Sequence, residues 1–145
     1  MLQLPGRLPH WTRRLLTIPL MISVALLATS AHGVKGCQAG RAFRGSHVPS
    51  GTIHCRGLEK LWYLAGGNPG DEQTAASIAM AESDGQQYAT GKAGERGYWQ
   101  INPDHGSLST YDALGNARAA VKISGDGSNW SPWTTFTSGA YAGRC

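Results

Sequence analysis

Glu82 is the residue whose type and position best suit acid–base chemistry. It is the first acid after Glu72, and the residues between them are mostly small or apolar. If this stretch is a helix, Glu82 lies at its C-terminal end, where apolar neighbours and the helix dipole both favour a protonated carboxyl group. Such a group can donate a proton to a leaving oxygen near neutral pH. The alternative is a solvated glutamate with no chemical role.

Three predicted helices would position Glu82. Apolar residues recur at helical spacing over residues 58–65, before a Gly-Gly pair that stops the helix. The second helix carries Glu82: Asn68 is its N-cap candidate, Pro69 fits the first helical position, and Gly85 follows its end. A third apolar-periodic stretch predicts a helix over residues 112–124.

Four short motifs, in order and at consistent spacing, resemble the lysozyme-like superfamily, and within it the soluble lytic transglycosylase domains of bacteria and their phages. Members commonly read E-S-x-x-x-x-x-A and then G-x-x-Q-I. The resemblance spans roughly residues 58–141, and the matching segments are Ala79-Met80-Ala81-Glu82-Ser83, Tyr88-Ala89-Thr90, Gly97-Tyr98-Trp99-Gln100-Ile101-Asn102 and Asn116-Ala117. The resemblance implies a mainly helical α+β fold with a small irregular β region after Glu82 and a substrate cleft.

The resemblance also implies roles for individual residues. Glu82 becomes the catalytic acid, and the expected substrate-binding residues are Ser83, Tyr98, Trp99, Gln100 and Asn102. Core packing is the competing interpretation for at least one of Tyr98 and Trp99. Aromatic side chains can stack on sugar rings or fill the core, and for Trp130 and Trp133 both interpretations stay open.

The implied activity is cleavage of peptidoglycan between N-acetylmuramic acid and N-acetylglucosamine. A lytic transglycosylase needs one carboxyl group and leaves a 1,6-anhydro end. The alternative is a muramidase-type hydrolase, which needs a second acid roughly 5 to 9 Å away, and Glu95 is the candidate for it. Glu95 could equally form a surface ion pair with Arg96 of little weight. A non-catalytic glycan-binding module is the remaining alternative.

The first 31 residues are predicted to be a secretory signal peptide. Three arginines precede a thirteen-residue apolar run at residues 15–27, and small residues follow up to Ala31. The run is shorter than the roughly 20 residues that a membrane span needs, although a retained N-terminal anchor is the alternative. Residues 32–54 are predicted to be a flexible leader and residues 55–145 the catalytic domain. The protein is therefore expected to be secreted.

Charge and motif content exclude several other classes of function. Removal of the three signal arginines leaves 10 basic against 9 acidic residues. No basic run with interleaved aromatics occurs, so a nucleic-acid partner is not expected. Neither H-x-x-x-H nor C-x-x-C is present, and there is no acidic calcium loop, so we expect no metal and no cofactor. His105 is predicted to be an ordinary loop residue, and the chain is expected to be a monomer.

The three cysteines allow one disulfide and one unpaired residue. We expect Cys55–Cys145, because these two residues flank the ordered-looking region and a bond between them would join its ends. Cys37 would then be free, intermolecular or lipidated.

Overall fold

The computed structural model describes residues 47–145. The predicted signal peptide, most of the predicted leader and Cys37 lie outside the described residues. Within the described part, the helices are α1 (Cys55–Leu64), α2 (Glu72–Ser83), α3 (Ala113–Ile123) and the short α4 (Thr134–Thr137), with a 3₁₀ helix at Pro103–Leu108 between α2 and α3. None of these helices is long and apolar enough to cross a membrane.

Helix α1 begins three residues earlier than predicted and ends at Leu64, one residue before the predicted end. Its buried face consists of Leu58, Leu61 and Trp62, which recur at helical spacing. This face packs on α2 and α3. The Trp62 indole N–H also donates to the Asn68 carbonyl oxygen at 2.9 Å, so the turn that leads into α2 is fixed on α1.

Helix α2 carries Glu82 and starts at Glu72, so the predicted start at Asn68 is wrong. Residues 68–71 form a turn instead: the Asp71 N–H donates to the Asn68 carbonyl, and the Asn68 side-chain amide donates to the Asp71 carboxylate at 2.6 Å. Asn68 is therefore a turn residue and not a helix cap. Short polar side chains such as asparagine are favoured at both kinds of position.

Small side chains let neighbouring elements approach α2 closely. Ala75, Ala76, Ile78 and Ala79 are all fully buried. The helix ends at Asp84, which has a left-handed conformation with φ of 50° and donates its N–H to the Met80 carbonyl. The last turn of α2, and with it Glu82, is therefore held in a packed environment.

The β region predicted after Glu82 is small and irregular, as expected. It consists of isolated antiparallel bridges, two of which join Arg96 to Thr90 and to Ile101. A third bridge joins Thr52 to Gln86.

The Cβ of any larger residue at Gly85 would overlap the Ile53 carbonyl oxygen. Residues 48–53, assigned to a flexible leader from the sequence, thus pack on the domain.

Asn116, a fully buried residue of α3, ties the β region to the helices. Its side-chain oxygen accepts from the Trp99 N–H at 3.0 Å. Its amide nitrogen donates to the carbonyl oxygens of Arg96 and Thr110 at 2.9 and 3.0 Å. A Cβ at Gly97 would clash with this side chain, so glycine is required there for the close approach.

The predicted disulfide between Cys55 and Cys145 is present, with the two Cα atoms 5.6 Å apart. It links the first residue of α1 to the segment that follows α4. Its partners are 90 residues apart in the sequence, and closing a loop of that length contributes between about 4 and 5 kcal/mol in the chain-entropy model.

Candidate active site

A cleft of about 430 Å³ opens between the end of α2, the β region and the C-terminal segment. Its size is in the range of small-molecule and oligosaccharide sites. Residues far apart in the sequence line it: Glu82, Gly91, Glu95, Gln100, Ile101, Asn102, His105, Ile123, Pro132, Trp133 and Thr134. Both predicted acids therefore face the same space.

Glu82 is half-buried in this cleft, and its Oε1 atom accepts a hydrogen bond from the Thr135 hydroxyl at 2.7 Å. Burial raises the pKa of Glu82 above the usual range of a glutamate. The Thr135 hydrogen bond lowers that pKa, and the negative charge of Glu95 raises it. The net effect is upward, so more of this carboxyl group keeps its proton near neutral pH than an exposed glutamate would.

Glu95 lies in the β region and accepts the Ala93 backbone N–H on its Oε2 atom at 3.0 Å. The alternative interpretation, a surface ion pair with Arg96, is not what the structure shows. Arg96 instead donates to the Ser109 carbonyl at 3.2 Å, and its guanidinium group lies over the Tyr111 ring, 5.7 Å from the centroid. Glu95 itself lines the cleft.

Gly91 allows Glu95 to occupy this position. A Cβ atom at residue 91 would overlap the Oε2 atom of Glu95 and would lie 2.8 Å from the Oε1 atom of Gln100. The ends of both side chains therefore occupy the space that a Cβ atom of residue 91 would take. The sequence marks residue 91 only as one glycine among several in a polar stretch, so its role was not predicted.

Gln100 and Asn102 line the cleft where the sequence analysis expected them. Gln100 has a left-handed backbone with φ of 45°, and its side-chain nitrogen donates to the Ala89 and Gly97 carbonyls at 3.0 and 2.8 Å. These bonds use both amide hydrogens of Gln100. Asn102 accepts the Asp104 N–H at 2.9 Å and so caps the 3₁₀ helix.

Among residues 47–145, no three His, Cys, Asp or Glu side chains are grouped so as to hold a metal ion.

Residues 59–135, more than half of the chain, match the family described as the lysozyme-like domain. The chain belongs to this family. Searches of curated proteins and of solved structures found no match. The mainly helical α+β fold predicted from the sequence is confirmed, and membership of a lysozyme-like family supports a glycosidase-type enzyme that binds a glycan. The matched segment runs from α1 to Thr135 and so includes both acids of the cleft.

Three of the residues predicted to bind substrate have structural roles in this lysozyme-like domain. Tyr98 and Trp99 are fully buried, so the substrate-binding prediction was wrong and core packing was the correct alternative. The Tyr98 hydroxyl donates to the Gly51 carbonyl at 2.7 Å. Burial, with a smaller contribution from Tyr88, raises the pKa of Tyr98 to about 12.

The third is Ser83, which is 7% exposed and is not among the residues that line the cleft. Its hydroxyl donates to the Ala79 carbonyl at 3.0 Å, one turn back along α2. The one O–H donor of Ser83 is therefore directed to its own helix, and the hydroxyl group that bonds Glu82 belongs to Thr135.

Three further residues lie in or beside the lysozyme-like cleft, and for one of them, Trp133, sugar stacking and core packing had both stayed open. Trp133 is buried in the wall, and its indole N–H donates to the Trp99 carbonyl at 2.9 Å. His105, predicted to be an ordinary loop residue, lines the opening. Thr135 was not singled out at all, although it contacts Glu82. No spacing in the sequence connects these residues to Glu82, since they follow it by 23 to 53 positions.

Proposed function

We propose that this lysozyme-like domain cleaves peptidoglycan strands between N-acetylmuramic acid and N-acetylglucosamine, as a lytic transglycosylase with Glu82 as its acid and base. The observation that carries this proposal is the setting of Glu82. It lies half-buried in a cleft of suitable size, its pKa is raised, and a hydroxyl group holds one of its oxygens. These are the properties of a carboxyl group that donates a proton in the reaction.

The proposed reaction balances without water. Glu82 gives its proton to the glycosidic oxygen, and the bond from that oxygen to C1 of the muramyl residue breaks. The muramyl 6-hydroxyl then attacks C1, and its proton passes to the Glu82 carboxylate, which is thereby restored. The products are a strand with a free N-acetylglucosamine 4-hydroxyl and a strand that ends in a 1,6-anhydro ring.

The direct test is Glu82→Gln, with wall lysis and product masses as the measurements. Glutamine has the same shape and can still accept the Thr135 hydrogen bond, but it cannot donate an acidic proton. We expect lysis to fall by about 10²- to 10⁴-fold, the usual contribution of a general acid. Glu72→Gln, at the other end of the same helix, is the matched control and should leave lysis unchanged. Undiminished lysis by the Glu82→Gln variant would exclude this function.

A muramidase-type hydrolase is the second candidate, because Glu95 lines the same cleft and its charge acts on the pKa of Glu82. In that reaction Glu95 would activate water or attack C1 itself. Mass spectrometry separates the two chemistries, since anhydro products are one water lighter than reducing ends. The Glu95→Gln variant should remove a hydrolase activity but leave a transglycosylase active.

We also propose that the protein works outside the cytoplasm as a secreted monomer. The disulfide between Cys55 and Cys145 fits an oxidising compartment, and peptidoglycan lies in such compartments. N-terminal sequencing of the exported protein should find cleavage after Ala31. Retention of residues 1–31 in the exported protein would instead indicate an anchor.

Glycan binding without turnover by the intact protein would favour the third candidate function, a non-catalytic glycan-binding module.

A further inference from the structure

Thr135 donates the hydrogen bond that the Glu82 carboxyl group accepts, and within residues 47–145 this carboxyl has no second hydrogen-bond partner. We infer that Thr135 is a positioning residue for the proposed proton donor: by occupying Oε1, its hydroxyl makes Oε2 the oxygen that delivers the proton. This inference rests on the proposed function of Glu82 and adds a residue from a different element, α4.

The chemistry of the two groups sets this direction. A protonated carboxyl group has one O–H and one carbonyl oxygen, and a hydroxyl group donates readily to the carbonyl oxygen. With Thr135 donating to Oε1, the proton of Glu82 belongs on Oε2. The same bond strengthens once the proton has left, because hydrogen bonds to a charged acceptor are stronger. Thr135 thus stabilises the carboxylate that forms as the glycosidic bond breaks.

The structure holds the Thr135 hydroxyl in place from both sides of the chain. On the N-terminal side, the indole of Trp133 is buried and hydrogen-bonded to the Trp99 carbonyl. On the C-terminal side, the Tyr141 N–H donates to the Thr135 carbonyl at 3.2 Å, and the rings of Phe136 and Tyr141 stack with centroids 4.8 Å apart. A β-branched side chain also has few χ1 rotamers, so little freedom remains.

A purely structural role for Thr135 makes different predictions. If the hydrogen bond only attached α4 to α2, its loss would lower stability and leave the pH dependence of the reaction unchanged. If it positions the acid, its loss raises the pKa of Glu82, because the hydrogen bond favours the charged form. The alkaline limb of kcat/KM, which reports deprotonation of the acid, then moves to higher pH.

The test compares Thr135→Val, which keeps the shape and removes the donor, with Thr135→Ser, which keeps the donor. Thr137→Val is the matched control, because the hydroxyl of this other α4 threonine bonds only within its own turn. Rates of release of soluble muropeptides from purified peptidoglycan are measured from pH 4 to 9. We expect Thr135→Val to lower kcat/KM about tenfold, as for loss of one charge-assisted hydrogen bond, and to move the alkaline limb upward. The Thr135→Ser and Thr137→Val variants should follow the unaltered protein.

An unmoved alkaline limb in Thr135→Val, or an equal loss in Thr135→Ser, would overturn the inference. Thr135→Ala is measured in parallel, with thermal unfolding of every variant, so that a folding defect of the valine variant leaves the comparison intact. Glu82→Gln separates the two proposals. If Glu82→Gln is inactive and the alkaline limb of kcat/KM is unmoved in Thr135→Val and Thr135→Ala, only the role of Thr135 is rejected. Full activity of Glu82→Gln rejects the proposed function.

Discussion

The two walls of the cleft act on Glu82 in opposite directions. The β wall, made by Gly91, Glu95 and Gln100, brings a negative charge that raises the pKa of Glu82. The C-terminal wall is made by Pro132, Trp133 and Thr134, and the next residue, Thr135, donates a hydroxyl hydrogen bond that lowers this pKa. Burial is the largest cause of the raised pKa of Glu82, and the two neighbours adjust that pKa in opposite directions, so each wall can be altered separately.

The walls are also built differently. The β wall has isolated bridges in place of a regular ladder, and its side chains fit because residue 91 has no Cβ atom. The C-terminal wall depends on aromatic burial: Trp133 is 5% exposed, and its ring lies 5.3 Å from that of Trp130. We therefore expect loss of the Trp133 ring from the C-terminal wall to lower stability, and a side chain at residue 91 of the β wall to lower activity.

Trp133→Ala should have the largest effect. It removes a buried ring and leaves the Trp99 carbonyl without its indole donor, so we expect the free energy of unfolding to fall by about 3 to 5 kcal/mol. Urea denaturation measures it. Trp133→Phe, which keeps a six-membered aromatic ring but loses the five-membered ring with its N–H, should lose less. A loss below about 1 kcal/mol in the alanine variant would show that aromatic burial does not hold this wall.

Gly91→Ala should come next, with its effect on activity. The added methyl group would displace the ends of Glu95 and Gln100, and misplacement of groups in a site by about 1 Å can cost up to 10²-fold in rate. Because flexible side-chain ends can move aside, the unfolding free energy should change by less than about 1 kcal/mol. Gly70→Ala is the control, since its nearest neighbour atom lies 3.9 Å away. Equal activity of both variants would contradict the proposed role of Gly91.

A smaller effect is expected for Glu95→Gln on the pKa of Glu82. Loss of the neighbouring negative charge favours ionisation, so this pKa should fall, opposite to the rise expected for Thr135→Val. Carbon NMR of the labelled Glu82 carboxyl group measures both shifts without requiring activity, and the double variant should lie between the single ones. Asp104→Asn, an exposed acid on the 3₁₀ helix, is the control. If Glu95→Gln and Thr135→Val shifted the pKa of Glu82 in the same direction, the two walls would not have opposite effects on it.

The smallest effect is on stability. The pKa of Glu82 is higher in the folded protein than in the unfolded chain, so the folded state loses stability as pH rises from the unfolded value through the folded one. Glu82→Gln avoids this loss. Its melting temperature should therefore exceed that of the unaltered protein at pH 7 and approach it at pH 4. A variant that is less stable at pH 7 would show that the ionised carboxyl group is favoured by its surroundings.

Much of the fold could be predicted because it depends on local signals. Apolar spacing predicted α1 and α3, and the small residues before Glu82 predicted the buried α2. Asp112, the predicted first residue of α3, caps the helix by accepting the Gly115 N–H at 2.7 Å, and α3 begins one residue later. The start of α2 could not be predicted, because Asn68 is held by distant partners: Asp126 accepts its backbone N–H at 2.6 Å.

The candidate site could be predicted only where a motif marked it. The resemblance indicated Glu82, Gln100 and Asn102, all of which line the cleft. It could not indicate Thr135, because the contact with Glu82 arises from tertiary packing across 53 residues. For Tyr98 and Trp99 the resemblance was misleading. Aromatic residues in a cleft motif are the type that stacks on sugar rings, and only their burial in the structure shows that they belong to the core.

The three hydrogen bonds of the Asn116 side chain have a consequence for local unfolding. They join the backbone of Arg96, Trp99 and Thr110 to α3, while the β region itself has too few bridges to persist alone. The region should therefore open only when α3 opens, as part of one cooperative unit. In amide hydrogen exchange, the Trp99 N–H should then be protected as long as the amides in the centre of α3, much longer than a loop amide near the surface.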